Sequence, residues 1–245
     1  MGEVGAAAGA PASKGPDSAI GRIVGALIFP VRTFAAIAAR PTFLAPLVLW
    51  TGLSFLVSEL VLTRTDWRAV IVQSTARRDV KLTEQQIDNA VETQKKFSWV
   101  YQIIAAAAPI AIAGVTAAVL WMACQAFGWE LRFVQSFGVT THAFLPGIFA
   151  SVGLFAVLWG RTTIDPQSLD DVLPTNLGFL VSRTSNKALH SLLGSLDLLS
   201  FWTIALIVLG LSFATGARRG RVAVLVVSLW GLYVLGKAGL GILFP

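Results

Sequence analysis

Residues 103–124 read IIAAAAPIAIAGVTAAVLWMAC, a run of 22 residues without a formal charge. An α-helix rises about 1.5 Å per residue, so about 20 apolar residues cross the ~30 Å hydrocarbon core of a bilayer. The uncharged stretch extends from Phe97 to Trp129, 33 residues in all. This part of the chain therefore predicts a membrane-spanning helix.

Four further stretches have the same character, and the composition agrees with them. The chain of 245 residues is 55% hydrophobic and 13% charged, whereas soluble domains carry about 25% charged residues. We expect an all-α polytopic membrane protein, a five-transmembrane-helix bundle over residues 19–245 that follows a disordered cytoplasmic tail, residues 1–18. The predicted spans are residues 44–62, 103–124, 135–159, 198–214 and 222–244.

The connections between the spans carry their own signals. Pro146 lies near the centre of the third span and predicts a kink there. Only Gly128–Arg132 separate the second and third spans, which must form an antiparallel hairpin. Before the second span, Thr83 and Gln86 have the spacing of a capping box and predict the start of a helix.

The segment 19–40 is apolar but interrupted. Three arginines recur in it, and Pro30 breaks the run. We expect a kinked amphipathic helix that lies in the membrane interface, with its arginines toward the headgroups.

The segment 161–195 is polar and contains helix signals. Ser168 with Asp171, and Ser185, are predicted to cap two short helices. The second helix has a leucine stripe that we expect to rest on the membrane surface or on the bundle: Leu189, Leu192, Leu193 and Leu196.

Basic residues set the expected orientation. Arg218, Arg219 and Arg221 lie in a short turn between the last two spans, and positive charges in short loops stay in the cytoplasm. We therefore expect a cytoplasmic N-terminus and an external C-terminus. The excess of lysine and arginine, a formal charge of +6, is explained by anionic headgroups and not by nucleic acid.

Two opposite charges fall inside predicted spans, Glu59 and Lys237. Buried membrane charges tend to pair. We predict that Lys237 bonds to Glu59 or to Asp197, which lies at the start of the fourth span, and that the first and fifth spans are in contact.

His142 is the ionisable residue of the third span. It is either a neutral histidine hydrogen-bonded inside the bundle or part of a polar path with Pro146 and Lys237. Small residues four apart predict close helix packing within the chain or, as the alternative, a face for a second copy: Ala143, Gly147 and Ser151, and Ala107, Ala111, Gly114 and Ala118.

No pattern of catalytic, cofactor-binding or metal-binding residues is present in the sequence. The single cysteine, Cys124, lies in an apolar span, and the two histidines are far apart in the chain. His142 and Ser151 are nine residues apart and would face opposite sides of one helix. We expect a protein that is not an enzyme and has no cofactor.

Several stretches resemble bacterial Yip1-domain membrane proteins. They are Phe29-Pro30 with Thr33-Phe34, Ile37 and Pro41; residues 195–203, SLDLLSFWT, running into Gly210; and residues 230–237, WGLYVLGK. The resemblance implies five spans, a cytoplasmic N-terminus and, for an Ala/Gly/Arg-rich chain, the inner membrane of a bacterium. Eukaryotic members are similar to adaptors for Rab GTPases, a role that the short tail of this chain does not support.

The sequence thus favours a non-enzymatic scaffold or adaptor that organises lipids or partner proteins. The expected partners are the lipid bilayer and a membrane protein or a second copy of the chain. The alternative is a transporter or channel subunit with its path near His142, Pro146 and Lys237.

Overall fold

The computed structural model describes residues 18–77, 80–166, 169 and 187–243, and the regular elements within them are all α-helices. In chain order they are α1 (Ala19–Ile28), α2 (Pro30–Ala39), α3 (Leu44–Arg64), α4 (Trp67–Ala76), α5 (Glu84–Lys96), α6 (Ser98–Ala126), α7 (Phe133–Ala143), α8 (Gly147–Trp159), α9 (Lys187–Gly194), α10 (Leu198–Thr215) and α11 (Arg219–Leu243).

Four of these helices, α3, α6, α10 and α11, are each long and apolar enough to cross a bilayer. Helices α7 and α8 pass the same test as a pair that is bent by 42°. The bend falls at Phe144–Pro146, where Pro146 directly precedes α8 and cannot donate a backbone hydrogen bond. The predicted kink is confirmed.

The bent pair α7–α8 runs beside α3 from one end of that helix to the other. Contacts at the start, the middle and the end of α3 align the two: the rings of Phe43 and Phe137 at 5.1 Å, those of Trp50 and Phe144 at 5.3 Å, and Arg64 Nη1 with the carbonyl oxygen of Leu158 at 3.0 Å. Because α3 is 21 residues long, about 31 Å, the pair has the reach of a full crossing rather than a re-entrant loop.

The remaining crossings alternate in direction. Helix α6 is antiparallel to α3: Ser54 Oγ donates to the carbonyl of Ala105 at 2.8 Å, and Glu59, later in α3, accepts from Gln102, which lies earlier in α6. Ring contacts show the same for the last two crossings: Phe149 with Trp202 at 6.0 Å, and Phe201 with Trp230 at 5.9 Å. The all-α polytopic fold is confirmed, and α1 and Leu243 lie at opposite ends of the bundle.

The segment 19–40 differs from its prediction in one respect. It forms two helices that fold back on each other at Phe29, because Nη1 of Arg22 donates to the carbonyl of Arg40 at 2.8 Å. A straight helix would place these residues about 27 Å apart. Arg22 is therefore buried inside the protein, where its hydrogen bonds are satisfied, and does not point toward headgroups as predicted.

Helix α2 lies between α7 and α10, and two glycines make room for it. A Cβ at Gly210 would lie 2.5 Å from Cγ1 of Val139 and 2.7 Å from Cδ1 of Phe34. A Cβ at Gly138 would lie 3.1 Å from the carbonyl oxygen of Thr42. Phe34 is fully buried at this crossing, which forms the centre of the main core.

The predicted capping box is confirmed at the start of α5. Thr83 Oγ1 accepts from the backbone of Gln86, and the Gln86 side chain accepts from the backbone of Thr83. Arg68 of α4 bonds to both Glu84 and Asp88 of α5. The hydrogen bond with Asp88, followed by the charge of Glu84, raises the pKa of Arg68 above its ordinary value.

The predicted small-residue faces are only partly correct. On α6 the buried positions are Pro109, Ala113, Ala117, Leu120 and Cys124, so the packed face is displaced from the predicted one. The prediction considered only where the small residues lie. In the structure, the adjacent row of residues, which includes Ala113 and Ala117, packs toward α3 and α7. A Cβ at Gly147 or Gly114 would meet nothing within 4 Å, whereas Ala143 is fully buried.

The polar segment before α10 is described only in part. The predicted caps Ser168, Asp171 and Ser185 lie outside the described residues. Helix α9, which carries most of the predicted leucine stripe, packs on α11; Leu192 and Leu193 are half-buried, whereas Leu189 is exposed.

Replacing Gly210 by alanine tests the close packing of α2 between α7 and α10. The added methyl group would overlap Val139 and Phe34, and such overpacking costs about 1–3 kcal/mol. We expect Gly210→Ala to lower the thermal unfolding midpoint in detergent. Gly231→Ala on α11 is the matched control, since a Cβ there meets nothing within 4 Å and alanine favours a helix. Equal stability of the two variants would contradict the close crossing.

Candidate functional site: the arginine-rich end of the bundle

One end of the bundle is strongly basic. It comprises α1, α2 and the starts or ends of the five crossings that meet there, with the turns 127–132 and 216–221. Its described residues include one acidic residue, Glu130, and seven arginines: Arg22, Arg32, Arg40, Arg132, Arg218, Arg219 and Arg221. All of these arginines except Arg22 are exposed.

The opposite end has a balanced charge. Its described segments 64–77, 80–97, 161–166 and 187–197 hold eight basic and six acidic residues. Some of them neutralise each other directly, as Arg68 does with Glu84 and Asp88. The two ends of the same bundle therefore present different electrostatic surfaces, and only one of them is suited to an anionic partner.

Backbone carbonyls at the end of α2 organise part of this surface. Arg22 donates to the carbonyl of Arg40 and, at 2.9 Å, to Oγ1 of Thr42. From α7, Nε2 of Gln135 donates to the carbonyl of Ala38 at 2.9 Å. The last carbonyls of a helix lack hydrogen-bond donors within the helix, and Arg22 and Gln135 provide those donors. Both tie α2 to its neighbours.

The turn between α10 and α11 carries the arginines that the sequence singled out. Gly216 ends α10 in the left-handed conformation, at φ 70°, and Arg219 already belongs to α11. The guanidinium of Arg219 lies 5.8 Å from the ring centre of Phe213. Arg218 and Arg221 are exposed beside it, so all three charges are available to solvent or lipid headgroups.

His142 is held inside the bundle, close to the bend of α7–α8. It is 1% exposed, and its Nδ1 donates to the carbonyl of Gly138 at 2.9 Å, one turn earlier in the same helix. Pro146 is buried nearby. The hydroxyl of Thr140 is buried without a hydrogen-bond partner among the described residues. Lys237 is exposed on α11 and joins neither of them.

The other reactive side chains are not assembled into a site. Ser151 Oγ donates to the carbonyl of Gly147 at 3.2 Å, and the free Cys124 is fully buried in the core. Among the described residues, no three histidine, cysteine or acidic side chains are close enough to hold a metal ion.

The structure gives the predicted ion-pair residues other partners. Glu59 accepts a hydrogen bond from Nε2 of Gln102 on α6. Asp197 caps α10, accepting at 2.7 Å from the backbone nitrogen of Ser200 and also from its hydroxyl. In the part of the chain that the structure describes, neither carboxylate forms an ion pair with Lys237.

Two arginines with structural roles were not predicted from the sequence. Arg22 closes α1 on α2, and Arg64 donates from Nη1 to the carbonyls of Leu158, Trp159 and Arg161 at the end of α8. Arg64 also lies 5.5 Å from the ring of Trp159. In the sequence, Arg64 is visible only as an arginine at the end of an apolar run. That pattern does not identify the helix end whose carbonyls accept its hydrogen bonds.

Asp197 provides a direct test between a cap and an ion pair. Asn is as good a helix cap as Asp, whereas Ala costs about 1 kcal/mol. We expect Asp197→Ala to lower the thermal unfolding midpoint in detergent and Asp197→Asn to preserve most of it. Lys237→Met should leave the midpoint of the Asp197→Asn variant unchanged. Equal losses for the Asn and Ala variants would indicate instead that the negative charge of Asp197 matters.

Comparison with known proteins gives one family. The model of the Yip1 domain matches residues 24–240, which include both ends of the bundle and the crossings α3 to α10 in full. No curated protein and no solved structure shows significant similarity to the chain. Because the match covers most of the sequence, the chain belongs to the Yip1 domain family of multi-pass membrane proteins.

Proposed function

We propose that the protein is a non-enzymatic scaffold of a bacterial inner membrane, with its arginine-rich end in the cytoplasm, where it gathers anionic lipids. Its N-terminal tail then lies in the cytoplasm and its C-terminus outside. The observation that carries the proposal is a contrast among the described residues: seven arginines and one acidic residue at one end, and near balance at the other.

The physical basis is the negative surface potential of the cytoplasmic leaflet. Each Lys or Arg close to that surface gains about 1 kcal/mol from anionic lipids. Six of the arginines are exposed, and they come from α2 and the residue after it, from the residue before α7, and from the start of α11 with the residue before it. Arginines that come from several separate helices suit the recruitment of several headgroups.

The orientation is tested by cysteine labelling in intact cells, in a Cys124→Ala background. We expect Gly220→Cys to react with a membrane-impermeant maleimide only after permeabilisation, because it lies in the arginine-rich turn. Gln85→Cys on α5 should react in intact cells. Ala19→Cys and Ala39→Cys should both behave as Gly220→Cys, since α1 and α2 fold back at one end. The reverse pattern would overturn the orientation.

Lipid recruitment is tested with purified protein in nanodiscs made from anionic and zwitterionic phospholipids. We expect enrichment of the anionic lipid around the protein, measured by native mass spectrometry. Replacing Arg218, Arg219 and Arg221 by Gln should reduce that enrichment. The matched control replaces Lys81, Lys95 and Lys96, three exposed cations of the opposite end, by Gln. Equal losses from both triple variants would contradict a lipid-gathering end.

A transporter or channel subunit is the second candidate, and the bent pair α7–α8 favours it. Broken helices often frame transport sites, and here the bend lies beside the buried His142 and the unpartnered hydroxyl of Thr140. Against it, His142 bonds to its own helix and Lys237 lies elsewhere. Proteoliposomes that leak protons with the native chain, but not with His142→Ala, would favour this candidate over the scaffold.

A further inference from the structure

Helix α1 exposes its apolar side and buries its one charged side chain, the reverse of a helix on a water-soluble protein. On α1 the exposed residues form one apolar stripe, with Ile20, Val24 and Ile28 exposed by 75, 46 and 62%. These positions recur every four residues, so they lie on one face of the helix. Arg22, on the opposite face, is 6% exposed and bonds to Arg40 and Thr42.

The stripe continues across the bend between the two helices. Phe29 is 67% exposed and Val31 is 53% exposed. The next residue, Arg32, is exposed as well. A continuous apolar surface therefore ends at a positive charge, which is the arrangement of helices that lie between acyl chains and headgroups.

The packing of α2 fixes the depth of this surface. Its close neighbours, Gly138 and Gly210, each lie five residues from the helix end on the arginine-rich side, Phe133 and Thr215. Five residues correspond to about 7.5 Å along a helix. Interfacial helices bury their apolar face about 5–10 Å into the headgroup and acyl boundary, so the height of α2 on the bundle matches the depth of an interfacial helix in one leaflet.

Lipid is the occupant that fits this stripe. The surrounding exposed arginines Arg32, Arg40 and Arg132 complement anionic headgroups, and acyl chains complement the aliphatic side chains at the same depth. If water covered this part of the protein, the stripe would need a partner protein to cover it. The arginines around the stripe offer such a partner no further apolar surface.

We propose that α1–α2 acts as a one-leaflet wedge that binds loosely packed anionic lipid. The wedge directs the protein to membranes that are convex on the side of the arginine-rich end. Added volume in one leaflet at the interface is best accommodated where headgroups are spread, as on a convex surface. The inference names the lipid environment of the proposed scaffold and so rests on that function.

The first test asks whether the stripe faces lipid. Val24→Cys carries a spin label in vesicles of phosphatidylglycerol and phosphatidylethanolamine, in a Cys124→Ala background. We expect its collisions with oxygen to exceed those with a water-soluble nickel complex. Gln85→Cys, in the polar α5, is the aqueous control. Greater access of nickel at position 24 would overturn the wedge and point to a protein partner on the stripe.

The second test measures curvature preference in giant vesicles of the same lipids, from which thin tubes are pulled. Gly220→Cys is labelled from outside with an impermeant dye, so only molecules with the arginine-rich end outward are seen. We expect dye enrichment in the tube relative to a lipid dye. The enrichment should be lost in a variant with Ile20→Ser and Ile28→Ser, and kept with Val72→Ser and Val80→Ser, exposed apolar residues of the opposite end.

The outcomes separate this inference from the proposed function. No enrichment of the native chain in tubes, with anionic lipid still gathered in nanodiscs, would overturn the wedge and leave the scaffold. Enrichment that survives loss of the stripe would also overturn it. If the serine variant fails to fold, Ile20→Ala with Ile28→Ala removes the bulk and keeps helix propensity, and it must show the same loss.

Discussion

The hydrogen bonds of Arg22 are the constraint on which the arginine-rich end depends. They join the start of α1 to the end of α2 and turn an interrupted apolar segment into a compact pair. A hydrogen bond to a charged group contributes about 1.5–3 kcal/mol, and losing it would leave the carbonyl of Arg40 without this donor. Arginine suits the position because its planar group offers five donors and is weakly hydrated.

The position of α2 follows from that closure. Once folded back, α2 presents Phe34 and Ile37 to the groove between α7 and α10, where both side chains are fully buried. Gly138 and Gly210 permit the approach, and Gln135 holds the end of α2 from α7. Helix association in a bilayer has little hydrophobic driving force, so small residues and hydrogen bonds of this kind carry it. The same contacts set the depth of the exposed stripe.

Hydropathy predicted the all-α polytopic architecture, because the length of an apolar run is a property of the sequence alone. Local patterns also succeeded: Pro146 bends the third crossing, and Thr83 with Gln86 caps α5. The sequence did not predict what depends on neighbours. Arg22 and Arg64 bond to carbonyls of other helix ends, and Glu59 finds Gln102 in place of Lys237. Burial of Ala113 and Ala117, in place of Gly114 and Ala118, likewise depends on how α6 is rotated against α3 and α7.

Most polar side chains named inside the bundle are already hydrogen-bonded, so the groups that can bind a ligand lie mainly on its surface. Inside the bundle, Ser136, Thr141, His142 and Ser212 bond to carbonyls of their own or a neighbouring helix. Such bonds satisfy groups that hydrocarbon would otherwise leave unpaired. The buried polar atoms without a hydrogen-bond partner among the described residues include the hydroxyls of Thr51 and Thr140 and Oε1 of Gln102. The exposed arginines and the apolar stripe of α1 lie instead on the outside of the bundle. The interior of the protein therefore holds these surface groups in place.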